Sequence, residues 1–211
     1  MLGISFLLNG IMSYYYIMGI DQTQVITDFS IRWLSRLALI TFEISAPCAL
    51  LTSFVVTYAM WPRLYKIGGA EKTESFKRPS SLMKHNLNVI MVLIEVSGIM
   101  GGGLSIQLSH IAVAPLFGIC YVLFSWLMAP YWHPETGPLF FYFFLDTTLG
   151  YVTSLALIVL LIILLIFYAM FYSMALYLDG KTEYNSDSNM LYLQHCIGVI
   201  FLSYIFCKFR D

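Results

Sequence analysis

Residues 152–178 run for 27 positions without an Asp, Glu, Lys or Arg. As a helix this stretch rises about 40 Å, enough to cross a hydrocarbon layer of about 30 Å with some tilt. Inside a bilayer no water satisfies the backbone, so such a run must bond internally as a helix or close into a barrel. Its length and Leu/Ile content favour a helix. Its second half is aromatic-rich (Phe167, Tyr168, Phe171, Tyr172), which suits a structural packing role.

The rest of the chain agrees. It is 59% hydrophobic and only 11% charged over 211 residues, against roughly 25% charge in soluble domains. This predicts an all-α, polytopic transmembrane helical bundle of five to six spans in a single integral membrane domain, 1–211. No room remains for a separate soluble catalytic domain. A net charge of -1 gives no electrostatic basis for nucleic acid as a partner. The expected partner is the lipid bilayer, with a lipid substrate or a membrane protein in its plane. The membrane itself, endomembrane or plasma, is not specified. Cys48, Cys120, Cys196 and Cys207 form no CxxC pair and read as small buried hydrophobes. No cofactor and no metal is expected.

The spans fall at about 1–20, 37–61, 85–108, 111–129 and 152–178, with a weaker one at 191–207. A membrane helix beginning at residue one is uncommon, so the expectation is an upstream start or a partial first helix. Residues 21–36 read as a polar connection. Residues 62–84 read as the most polar loop and carry Arg63, Lys66, Lys72, Lys77, Arg78 and Lys84, six of the eleven basic residues. The positive-inside rule places this loop in the cytosol. Residues 130–138 are rich in helix breakers and interface aromatics, and Leu139–Leu145 is too short to span.

The third span carries the unusual chemistry. His85, Asn88, Val92 and Glu95 fall on one helical face by steps of three and four. Ionisable groups at bilayer depth cost at least about 2.5 kcal/mol and usually face a protein interior or cavity. Gly98 and Gly102 form a small-xxx-small pair that lets another helix approach closely. About 25 helical residues rise roughly 37 Å, so His85 and His110 belong to opposite membrane faces. The fourth span returns to the cytosol and brings His133 and Glu135 to the side of His85, with Asp146 joining them at that interface. Glu95 lies about 15 Å deeper. Glu43 enters from the outer side and reaches a similar depth, which predicts a Glu43–Glu95 carboxyl pair. A zinc site from His85, His133 and a carboxylate has no HxxxH or HExxH spacing behind it.

The order of features resembles a known family. Phe42-Glu-Ile-Ser-Ala-Pro-Cys leads a span ending at Trp61, and a basic loop follows. Then come His85-x-x-Asn88, Glu95, His110-x-x-x-x-Pro-Leu-Phe-Gly-x-x-Tyr121 and Gly137-Pro-Leu-Phe-Phe-Tyr-Phe-Phe-Leu-Asp146. Over about residues 40–150 this resembles the rolling-stone-like multipass membrane proteins. It is more distantly similar to the androgen-induced-gene family. The first resemblance implies a role in cell fusion without a defined reaction. The second implies hydrolysis of fatty-acid esters of hydroxy fatty acids by an intramembrane threonine and a histidine, for which His85 is the match. The threonine of that family belongs to an early span without a counterpart here, and Thr41 and Thr52 lie in a different span.

Three function classes follow. A lipid-ester hydrolase would use His85 as base, with Asn88 orienting it or stabilising an oxyanion. A non-enzymatic packing or fusion protein would use the glycine-rich third span. A proton or ion carrier would use Glu43 and Glu95.

Overall fold

A computed structural model of the chain describes residues 1–19, 29–97, 106–132, 140, 142–184 and 188–207. Among these the chain is all-helical, with no strand. In order the helices are α1 (Leu2–Ile17), α2 (Phe29–Phe54), α3 (Trp61–Lys77), α4 (Pro79–Leu82), α5 (Asn88–Ser97), α6 (Val113–Trp132), α7 (Tyr151–Tyr184) and α8 (Ser188–Phe206). Two π-helical segments, Val55–Met60 and Met83–Leu87, join α2 to α3 and α4 to α5. Three helical stretches are long and apolar enough to cross a membrane: Ser30–Lys77, Leu108–Trp132 and Tyr151–Tyr177. This makes the chain a helical membrane protein by length and composition. Leu193–Phe206 is apolar but shorter.

Two expected loops are helical. The second span begins at Phe29, so Ser30–Arg36 belongs to it. The basic stretch after Trp61 forms α3 and α4. Pro62 at the first turn of α3 suits a helix start, because its missing N–H has no intrahelical role there. Gly68 (φ -150°, ψ 20°) and Gly69 (φ 61°, ψ -149°) then break α3. The second pair of angles is reserved for glycine. In a straight helix Trp61 and Phe76 would stand about 22 Å apart, yet their rings meet edge-on at 6.1 Å. The break therefore folds α3 back on itself as a short helical hairpin. The third span departs from expectation at its start, where a π-helical turn precedes α5, which is described as far as Ser97.

The core lies among α2, α5, α7 and α8. Phe42, Leu50, Val89, Val92, Leu93, Tyr168 and Phe171 are buried there. Lipid tails are as apolar as these side chains, so shape-matched van der Waals packing holds the helices rather than transfer from water. Hydroxyls inside the helices bond back to their own backbone. Thr41 donates to the Leu37 carbonyl, Ser45 to Thr41, Thr52 to Cys48 and Ser125 to Tyr121, which removes their polarity from the lipid. Ser53 and Tyr58 donate instead to the Phe206 and Ile205 carbonyls at 2.8 and 2.9 Å. These carbonyls end α8 and have no partner along their own helix.

Candidate functional site

The basic end of the bundle holds a small polar cavity. It is about 20 Å³, room for roughly one water, and its walls include Thr57, Trp61, Phe76, Lys77, His85 and Asn86. Thr57 belongs to the first π-helical segment and His85 to the second. A π-turn widens the helix by one residue and is frequent at functional sites. Here two such turns face one cavity. The α3 hairpin roofs it through Trp61 and Phe76.

The cavity is rich in donors. Thr57 and Asn86 are each only 5% exposed. Asn86 Nδ2 and His85 Nδ1 are buried and have no hydrogen-bond partner among the described residues. A buried polar atom left unpaired costs on the order of 1–3 kcal/mol, and such atoms in a native fold call for an explanation. Lys77 also lines the cavity. Together these groups would accept an oxygen-bearing ligand, such as a carbonyl or a carboxylate.

Asn88 takes no part. Its Nδ2 donates to the Lys84 carbonyl at 2.7 Å, so it serves its own helix rather than His85. Val92, on the expected polar stripe, is fully buried in the core, and Glu95 is half-buried on α5. The inserted residue of the π-turn shifts His85 off the α5 register, which is why 3.6-residue spacing misplaced it. Asp146 caps the turn Thr147–Leu149, accepting from the Thr148 amide and hydroxyl at 2.9 and 2.6 Å. His133, Glu135, Gly98 and Gly102 lie outside the described residues.

Glu43 bonds elsewhere than expected. It is fully buried, and its Oε1 accepts from the Gln107 amide at 2.7 Å. Its Oε2 meets His110 Nδ1 at 2.7 Å. The Tyr168 hydroxyl donates to the Gln107 carbonyl at 2.8 Å. Gln107 is thus held at both backbone groups by side chains of α2 and α7. The Glu43–Glu95 pair is replaced by Glu43–His110, because the start of α6 lies beside α2.

Between that end and the polar cavity runs an apolar groove of about 460 Å³. Its walls come from α2 and the π-helical segment after it (Cys48 to Val56), α6 (Phe117 to Trp126) and α7 (Leu157 to Leu164), with Tyr142, Phe144 and Leu145 across one end. Val56 lines both the groove and the polar cavity. Trp126 Nε1 donates to the Leu145 carbonyl at 3.0 Å, and the Arg63 guanidinium lies 3.9 Å above the Phe143 ring, so this end wall is pinned. Burial pushes the Tyr142 phenol above its ordinary range, with the Tyr121 phenol adding to the shift. Among the described residues no group of three His, Cys, Asp or Glu side chains could hold a metal ion.

No family model matches the chain, no curated protein is significantly similar to it, and no solved structure is significantly similar to its fold. The class that the fold defines is a helical membrane protein with a polar cavity and an adjoining apolar groove.

Proposed function

We propose that this chain is a multi-pass membrane protein of the rolling-stone-like type that hydrolyses lipid esters at the polar cavity around His85. The observation that carries the reading is the meeting of Thr57, His85 and Asn86 at one cavity, walled by two π-helical segments. Acyl transfer needs a nucleophile, a base and a donor for the developing oxyanion. Thr57 Oγ1 attacks the ester carbonyl carbon and His85 takes the hydroxyl proton. Asn86 Nδ2 donates to the carbonyl oxygen as it becomes negative. The alkoxide leaves with the proton from His85, and water then releases the acyl group from Thr57. The resemblance to membrane hydrolases of fatty-acid esters supports the same histidine.

The test uses purified full-length protein in lipid nanodiscs with a fatty-acid ester of a hydroxy fatty acid. Wild type should release free fatty acid, and His85→Ala and Thr57→Val should each lower turnover by about 10²-fold or more while the melting curve persists. Equal turnover in wild type and His85→Ala would remove the hydrolase reading.

A second reading, a non-enzymatic packing or fusion protein, is favoured by the way Ser53 of α2 and Tyr58 of the adjoining π-helical segment fasten the end of α8. It predicts no ester cleavage by any form of the chain.

A further inference from the structure

The groove is as large as pockets that enclose whole small ligands, yet almost none of its lining is polar. We infer that it is a binding site for one long acyl chain, entered from the bilayer, with the chain's oxygen-bearing head at the polar cavity. This deepens the reading above by naming the arm of the ester that the protein grips, and by naming Gly118 as the residue that limits its length.

Four observations carry it. The groove lies along α2, α6 and α7, the three helical stretches long and apolar enough to cross a membrane, so its open side faces hydrocarbon rather than water. Its lining is almost wholly apolar, which suits a hydrocarbon chain rather than a polar ligand. The groove touches the polar cavity at Val56, where the buried Asn86 Nδ2 presents an unpartnered donor beside His85. That donor suits the carboxylate or ester carbonyl of the same molecule.

The fourth is the position of Gly118. Glu43 and His110 tie the starts of the groove-lining stretches of α2 and α6 together, and both helices run from there towards the basic end. Gly118 lies eight residues after His110, at the end of the groove away from the polar cavity, whereas Val56 marks the polar end. From Cys48 to Val56 the groove covers about 12 Å of helix. A Cβ at Gly118 would meet Leu164 Cδ2 at 3.6 Å, an ordinary contact. A methyl group therefore fits, while a longer side chain must extend into the groove.

The probe is dibromostearic acid, whose bromines quench tryptophan at short range, added to full-length protein in zwitterionic nanodiscs. Trp126 lines the groove and reports occupancy. Saturable quenching is expected in wild type, and its saturable part should vanish in Trp126→Phe. Gly118→Leu should weaken binding about ten-fold, the loss from excluding about two methylenes. Ile158→Phe, at a lipid-facing groove wall, provides a second obstruction if Gly118→Leu does not fold, with the same expected loss. Non-saturating quenching, or quenching unchanged in Trp126→Phe, is bulk partition and overturns the inference. So does equal affinity in the obstructed variants, or a change in oligomer size in Gly118→Leu without a change in quenching, which would mean that a second copy fills the groove. Cleavage of nitrophenyl palmitate and nitrophenyl hexanoate separates the two proposals. Binding as described with no cleavage removes the hydrolase and keeps the acyl site. Cleavage whose palmitate-to-hexanoate ratio is unmoved by Gly118→Leu removes the acyl site and keeps the hydrolase.

Discussion

Glu43 on α2 and His110 at the head of α6 meet through Oε2 and Nδ1 at 2.7 Å. The glutamate is fully buried and the imidazole about one-third exposed. Glu43 also accepts the Gln107 amide. One carboxyl group thereby fixes the turn that enters α6.

Glu43→Gln should destabilise the fold by about 1–3 kcal/mol, because an amide cannot satisfy both donors as a carboxylate does. His110→Ala should cost a similar amount by leaving a buried oxygen unpaired. The double variant Glu43→Gln/His110→Ala should lose less than the sum, by at least about 0.5 kcal/mol. Chemical denaturation in mild detergent reads all three, and strict additivity would mean the two side chains act independently.

Ser53→Ala should weaken the last turn of α8. Its hydroxyl is buried and satisfies the Phe206 carbonyl, so about 1–2 kcal/mol is expected. Tyr58→Phe should cost less, since Tyr58 is exposed and water or headgroups replace its bond. Hydrogen exchange should localise both effects to the final turn of α8. Uniform acceleration over the whole chain would contradict this.

Gly69→Ala should open the α3 hairpin. A Cβ at φ 61°, ψ -149° is strained by about 1–3 kcal/mol, while straightening the helix pulls Phe76 from Trp61. The expected outcome is faster proteolysis within residues 66–78 and lower His85-dependent activity. A variant that keeps the wild-type protease pattern would show that the break does not depend on glycine.

Asn88→Ala should change stability by no more than about 0.5 kcal/mol, because its amide serves only the Lys84 carbonyl. Turnover should be unchanged. Asn86→Ala should leave stability similar but lower turnover by about 10²-fold, the typical loss of one oxyanion donor. Reversal of this order would return Asn88 to the site.

The helical membrane class was legible in the sequence because it follows from composition and run length, which need no knowledge of neighbours. The run 152–178 appears as the body of α7, and the turn near Gln107–His110 appears as a 3₁₀ turn. His85 was legible as a polar group placed where polarity is costly. Its companions were not. Periodicity assumes 3.6 residues per turn, and the π-turn Met83–Leu87 breaks that assumption just before α5. Thr57 carried no signal, since a threonine in an apolar span usually bonds its own backbone, as Thr41 and Thr52 do. The Glu43–His110 pair was within partial reach of the sequence: Glu43 enters its span from the side where His110 lies, and a buried carboxylate seeks an imidazole sooner than a second carboxylate.

By itself the sequence determined that this chain forms apolar helices and that a few polar residues must find shelter from lipid. Hydropathy is a property of each segment, and the cost of an exposed charge in hydrocarbon is local. Only the tertiary structure decided which shelter each residue found. Helix pairing brought Glu43 to His110, the break at Gly68–Gly69 brought Phe76 to Trp61, and two π-turns brought Thr57 and His85 to one cavity. Each of these depends on how separate helices meet, which local pattern does not encode.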